Sequence, residues 1–323
     1  MTDAPMASAA VQDPVEAFEA QRRRLGAVAY RLLGSVADAE DVLQEAWLRW
    51  QAADRTRVED VRAYLTTVVT RLAYDLLGSA RVRRESYHGE WLPEPLVADA
   101  DHADSPDERA ELGESVSLAL LAVMEQLTPA ERVAFVLHDL FSVGFPEVAV
   151  VLDRTPEATR QLASRARRKV RDGGHRGTVD PAEHRRAVRA FTAAAAGGDV
   201  RGLLAVLAPD VVWHADGGGV VSAAARPVLG AGKVARLVSG LVARLVSGRT
   251  GPAAGVAAGP AAGPAAGVAV EAVVAPARVN GEPGLVWYSA PGRIGGVIAF
   301  TVANGRITRV DAVVNPEKLT HLV

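Results

Sequence analysis

The segment Thr155 to Arg168, Thr-Pro-Glu-Ala-Thr-Arg-Gln-Leu-Ala-Ser-Arg-Ala-Arg-Arg, constrains the fold more tightly than any other stretch of the chain. Thr155 can cap the exposed amides of a helix, Pro156 is pre-set for its first turn, and Glu157 suits the positive end of the helix dipole. From Arg154 to Arg171 there are seven Lys or Arg and one acid, so one face of this helix must stay in water or meet an anion. Just before it, Phe145 to Leu152 predicts a short apolar helix, and Asp153-Arg154 leaves room for a tight turn. Two helices so joined have the layout of a helix-turn-helix whose second helix enters the major groove of DNA. In that layout Arg160 and Gln161 sit where side chains reach base edges, Arg165, Arg167 and Arg168 where they meet phosphates, and Thr159 and Ser164 are counted with them as DNA-binding. A solvated basic helix is the competing reading.

Whole-chain charge hides this signal, since 36 Lys and Arg stand against 38 Asp and Glu. Residues 1–180 carry 22 cations against 30 acids, whereas residues 181–323 carry 14 against 8. Glu85 to Glu114 holds ten of the acids and only Arg109, which marks a linker between residues 81 and 112. The chain has no cysteine, so disulfides and thiolate metal sites are excluded. No metal or other cofactor is called for. The N-terminus lacks the apolar run of a signal peptide, and Pro252, Pro260 and Pro264 spoil the uncharged stretch Thr250 to Val270 as a membrane span. A cytoplasmic protein is the expectation.

Helix-start signals divide the chain. Asp13-Pro14-Val15-Glu16, Ser105-Pro106-Asp107-Glu108, Thr128-Pro129-Ala130-Glu131 and Asp180-Pro181-Ala182-Glu183 each place a capping residue, a proline and then an acid. Helical periodicity at Leu25/Val28/Ala29/Leu32/Leu33, Leu43/Ala46/Trp47/Trp50 and Leu65/Val68/Val69/Leu72/Leu76 predicts an all-α domain over 13–80. Trp47 and Trp50 share the apolar stripe and are read as core. A second all-α domain spans 113–172 and ends in the helix-turn-helix. After Asp180 two helical segments lead to the β-rich runs Val211 to Trp213, Val268 to Val274, Leu285 to Tyr288, Val297 to Val302 and Ile307 to Val314, with a helix near Lys233 to Leu245. That order predicts an α+β domain with an antiparallel sheet over 184–323. Arg-Leu-Val-Ser-Gly, repeated at 236–240 and 244–248, and three copies of Gly-Pro-Ala-Ala-Gly between 251 and 267 are read as local duplication in a surface loop.

Several ordered motifs carry a resemblance. Tyr30 to Ser35 with Asp38-Ala39-Glu40-Asp41-Val42-Leu43-Gln44-Glu45, then Arg62 to Leu72, then Leu127 to Arg168, resemble in sequence regions 2 and 4 of the extracytoplasmic-function sigma factors. Trp91-Leu92-Pro93-Glu94-Pro95 and Asn315-Pro316-Glu317-Lys318-Leu319 resemble marks of the subgroup with a fused SnoaL-like C-terminal domain. Asp216-Gly217-Gly218-Gly219 matches that subgroup's glycine turn, although Val220 stands where its lysine is usual, and the Gly/Pro/Ala insertion is a second departure. The resemblance implies two sigma domains followed by an α+β cone. It implies core RNA polymerase as partner, through its β′ and β subunits, with Asp38, Glu40, Asp41 and Glu45 on the β′ coiled coil. It implies promoter DNA as the second partner: a base captured by the loop Gln51 to Asp60, Arg55, Arg57, Arg62 and Arg71 near phosphates, and the minus-thirty-five element read by region 4. It also implies a linker seated in a polymerase channel and a C-terminal domain that regulates the rest. Trp91 to Pro95 and Asn315 to Leu319 are then expected to lie close together in one intramolecular contact, with opposed charge drawing the halves together, and Asp216 to Gly219 is counted among the interdomain residues. No small molecule in the cone is supported by these residues.

Two other classes compete. As an enzyme, the C-terminal domain would use His214, Asp216 and Asp311 as acid/base groups, but no oxyanion-stabilising partner is evident. A plain repressor would account for the helix-turn-helix and leave the first domain and its acidic helix without a purpose.

Overall fold

The computed structural model describes residues 13–85, 87–99, 116–172, 180–246, 273–290 and 293–322. Helix α1 (Pro14–Leu33) starts where Asp13 accepts from the Val15 amide, and it stops at Gly34, whose left-handed φ of 69° no side chain adopts cheaply. Ser35 then caps α2 (Val36–Ala52), and a 3₁₀ turn (Arg55–Arg57) leads into α3 (Val61–Glu85). Trp50 is buried and donates to the Pro14 carbonyl at 2.8 Å, and Trp47 packs edge-on against Phe18, so both aromatics serve the core as expected. Helix α3 continues past residue 80, the expected end of the domain, through a stretch in which Ala, Arg and Glu favour helix.

The second helical unit comprises α4 (Leu118–Met124), α5 (Pro129–Phe135) extended by a wide turn (Val136–Leu140), α6 (Phe145–Leu152) and α7 (Pro156–Asp172). Thr128 and Glu131 close the expected capping box on α5, and Asp153 at φ 53° makes the turn between α6 and α7. The two units are not separate bodies. Leu25, Val28, Leu65 and Val69 share one continuous core with Val133, Leu137, Val148 and Leu152. Arg71 of α3 donates to the Val150 carbonyl of α6 at 2.9 Å, and the Arg31 guanidinium lies 4.7 Å from the centre of the Phe141 ring.

Beyond Asp180, α8 (Pro181–Ala196), α9 (Val200–Val206) and α10 (Ala231–Val246) accompany strands β2 (Leu207–Asp216), β3 (Val228–Leu229), β4 (Val273–Val279), β5 (Glu282–Ala290), β6 (Arg293–Ala303) and β7 (Arg306–Val313), closed by a 3₁₀ turn (Pro316–Leu322). The sheet order is β1-β4-β5-β6-β7-β2-β3, and its outermost strand β1 (Val97–Asp99) comes from the linker, pairing Val97 with Val279. The sheet is not wholly antiparallel as expected: β2 and β7 run parallel, because the first long strand of the domain lies beside the last. Alternation along the strands gives the sheet two buried faces. Trp213, Leu285, Phe300 and Val310 pack under α8, α9 and α10 with Phe191 and Leu203, while Val279, Val286, Val297 and Val313 pack on the other side against Leu92, Leu118 and Leu319.

The helix start at Ser105, the duplications between 251 and 267, and most of the runs Thr250 to Val270 and Val268 to Val274 lie outside the described residues; only Val273 and Val274 of the latter are seen, in β4. Among the described residues no helix is long and apolar enough to cross a membrane, and no group of three acidic or imidazole side chains could hold a metal ion.

Candidate functional site

The second face of the sheet and the corner between α1 and α2 enclose the extended segment Trp91 to Pro95. At the centre lies Asp216, at the end of β2 and fully buried. One of its carboxylate oxygens accepts from the Tyr87 hydroxyl at 2.6 Å and the Gly218 amide at 3.1 Å, and the other accepts from the Leu92 amide at 2.8 Å and the Lys318 ammonium at 2.7 Å. Lys318, 6% exposed, also donates to the Leu92 carbonyl, and its ammonium stands 4.0 Å from the centre of the Trp91 ring. A buried charge is tolerated only when it is paired and its hydrogen bonds are satisfied, and this pair meets both conditions. Burial and the adjacent Asp216 carboxylate push the Tyr87 hydroxyl well above its ordinary pKa, so it stays a donor.

The glycine turn and the C-terminal motif meet here. Asn315 donates to the Tyr87 oxygen at 2.8 Å and accepts from the Glu317 amide at 3.1 Å. Gly218 has φ 63°, and a Cβ there would lie 2.4 Å from the Asn315 side-chain nitrogen, so only glycine lets the turn close over Asn315. Pro316 opens the last 3₁₀ turn, and Leu319 packs beside Leu92. Gly217 and Gly219 complete the bend, with His88 of the linker next to Gly219.

On its other side the segment grips the helical half. The Glu94 carboxylate accepts from the Val36 amide at 2.6 Å at the start of α2, and the Glu94 amide donates to the Gly34 carbonyl at 2.9 Å. The Tyr30 hydroxyl donates to the Glu94 carbonyl at 2.6 Å and accepts from Asn280 at 2.9 Å, while the Asn280 carbonyl oxygen accepts from the Leu96 amide at 3.0 Å. Pro93 and Pro95 are buried, and His321 hydrogen-bonds the Pro95 carbonyl at 2.9 Å. No motif in the sequence marks Tyr87, Glu90 or Asn280, and Tyr30 is marked only as the start of the first helical motif. Asn280-Gly281 signals a hairpin turn between β4 and β5, but nothing in the sequence says that its amide faces Tyr30 across the domain boundary. Across the two halves, His214 also hydrogen-bonds the Glu90 carboxylate at 2.8 Å.

On the recognition helix, Arg160, Gln161, Ser164, Arg165 and Arg168 are exposed, but Thr159 is not. Thr159 falls on the stripe of Leu162, Ala163, Ala166 and Val170, is fully buried, and donates back to the Thr155 carbonyl at 3.0 Å, so it cannot touch DNA as expected. Arg167 is paired with Asp139 at 2.6 Å. Arg55, Arg57 and Arg62 are exposed, whereas Arg71 is engaged with α6. Of the acidic face, Asp41 is open to solvent, Glu45 pairs with Arg49 at 2.9 Å, Glu40 lies 3.7 Å from Arg22, and Asp38 receives the Ser35 cap through its amide. Replacing Arg160 by Ala should cost about 1–3 kcal/mol of DNA binding and relax preference at one base pair. Equal weakening on every sequence in a competition assay would move Arg160 to the phosphates.

A two-part helical apparatus with an exposed recognition helix and an acidic face defines a promoter-recognition subunit of the sigma-70 class. Residues 17–83 match the family Sigma-70 region 2, and residues 117–170 match Sigma-70, region 4. The chain is 43% identical to the ECF RNA polymerase sigma factor SigJ of Mycobacterium tuberculosis over 95% of its own length and 93% of that protein's. It is 34% identical to the probable ECF RNA polymerase sigma factor SigI of the same species, covering 96% of each. The crystal structure of M. tuberculosis SigJ superposes with a TM-score of 0.73 at 41% identity, over 95% of this chain and 98% of that one. The chain therefore belongs to the extracytoplasmic-function RNA polymerase sigma factors and directs transcription initiation.

Proposed function

We propose that the C-terminal α+β domain regulates this sigma factor by clasping the linker and holding regions 2 and 4 in one closed body. The observation that carries the reading is Asp216, whose carboxylate joins the linker amide of Leu92 to Lys318 of the C-terminal motif. The minus-ten and minus-thirty-five elements lie about 25 base pairs apart, or about 85 Å of duplex at ~3.4 Å per step. Regions 2 and 4 that share a core cannot read both at once, so transcription requires the closed body to open on polymerase. Activity then follows the balance between closed and open states. The positions of His214, Asp216 and Asp311 favour this over catalysis. All three project from the sheet face opposite the three helices, and each is committed: His214 to Glu90, Asp216 to the linker, Asp311 to a bidentate bond with Arg309 at 2.7–2.9 Å. The interior that would hold a substrate in a cone is occupied by Phe191, Leu203, Trp213 and Phe300.

Reconstitution with core polymerase on a library of promoter fragments tests both levels. The full chain should support selective transcription, and removal of residues 184–323 should change its rate several-fold. No selective transcription would refute the sigma reading, and an unaltered rate after truncation would refute the clasp.

A further inference from the structure

Six cations of the C-terminal half stand apart from the clasp. Arg185, Arg186 and Arg189 lie on the outer stripe of α8, Arg201 on α9, and Lys233 and Arg236 on the outer stripe of α10. All six are exposed, and none makes an ion pair with a described residue. The acids of the same helical layer are engaged elsewhere: Glu183 accepts from the Gly305 amide, and Asp199 caps α9 through the Gly202 amide at 3.0 Å. These helices cover the sheet face opposite the clasp, so their basic surface points away from regions 2 and 4 and stays open in the closed chain. Six cations against Asp180, Glu183 and Asp199 leave this layer net positive, and a field of that sign attracts a polyanion.

We propose that the outer surface of α8, α9 and α10 is a second, sequence-independent contact to duplex DNA, centred on Arg185, Arg186 and Arg189. The inference rests on the reading of α7 as the recognition helix. Asp172 ends α7 and Pro181 begins α8, nine residues on, so the two are never more than about 32 Å apart. DNA held by α7 thus brings α8 within reach of phosphates a few turns along the same duplex, and tethering turns a weak contact into a productive one. The spacing of the cations along α8 and α10 fits a backbone contact rather than base reading. No aromatic or amide side chain accompanies them on these outer stripes.

The test uses the full chain and a labelled 40-base-pair duplex of arbitrary sequence, with affinity measured by anisotropy from about 50 to 200 mM salt. The triple variant Arg185→Gln, Arg186→Gln, Arg189→Gln should bind about tenfold more weakly at the lowest salt. Its slope of log affinity against log salt should be shallower by roughly two to three, about 0.9 per lost phosphate contact. Arg→Lys at the same three positions should restore both, because phosphate contacts need charge and not a guanidinium, and this excludes misfolding as the cause. Unchanged affinity and slope in the Gln variant would overturn the proposal and leave a solvated basic face. A loss confined to core-polymerase binding would overturn it in favour of an acidic protein surface. A separate Arg165→Gln, Arg168→Gln variant reports on α7 itself, so failure of the recognition-helix reading would be seen independently.

Discussion

Replacing Asp216 by Ala should destabilise the closed chain by about 3–5 kcal/mol, because it leaves the Lys318 ammonium buried without its carboxylate and strands the Leu92 amide and the Tyr87 hydroxyl. The penalty comes mostly from the orphaned charge, so adding Lys318→Met should recover a large part of it, and the two changes should be strongly non-additive. Denaturant unfolding followed by tryptophan fluorescence measures the first effect. Hydrogen exchange at Leu92 measures the second, since its amide should lose protection when the clasp opens. A single variant that loses less than about 1 kcal/mol and keeps that protection would show that the clasp does not hold the chain closed. The conclusion would be the same if Trp91→Ala and Lys318→Glu proved additive, since the ammonium sits directly over the Trp91 ring.

Reversing Asp41 and Glu45 to Lys should weaken association with core polymerase by about two orders of magnitude, chiefly through the association rate at low salt. Both carboxylates are on the open face of α2, and neither supports the core, so folding should be unaffected. Surface plasmon resonance against immobilised core polymerase separates the rates. The affinity of the variant for duplex DNA should be unaltered or slightly higher, because two acids have been removed far from α7. Wild-type association rates would place the polymerase contact elsewhere on region 2.

Much of the architecture was legible in short-range chemistry. Asp13-Pro14, Thr128-Pro129 and Asp180-Pro181 announced helix starts because a capping oxygen and a preset proline act within one turn, and α1, α5 and α8 begin there. The recognition helix was legible for the same reason, and so were the motifs at Trp91 and Asn315 as neighbours, but not the place of Asp216 between the Leu92 amide and Lys318. What failed depended on direction and distance. Thr159 was counted among DNA-facing residues because its neighbours are, yet one step of about 100° around the helix turns it into the core beside Leu162 and Ala166. Net charge gives no directions, and the described bonds across the contact come from particular side chains and backbone groups: Asp216 with Tyr87 and the Leu92 amide, Asn315 with Tyr87, and Asn280 with Tyr30.

Only the tertiary structure decided that Val97 to Asp99 leaves the linker to become the edge strand of a distant sheet, since its pairing partner lies some 180 residues away and no local pattern encodes it. It also decided that Tyr30 and Asn280 bond across a domain boundary and that regions 2 and 4 share a core. The sequence by itself determined which helices form, which faces they bury and which carry charge, because those choices are settled by neighbours within a few residues. Which buried face meets which was left to chain topology, where burying apolar surface and pairing every buried donor select one arrangement among many that local chemistry permits equally.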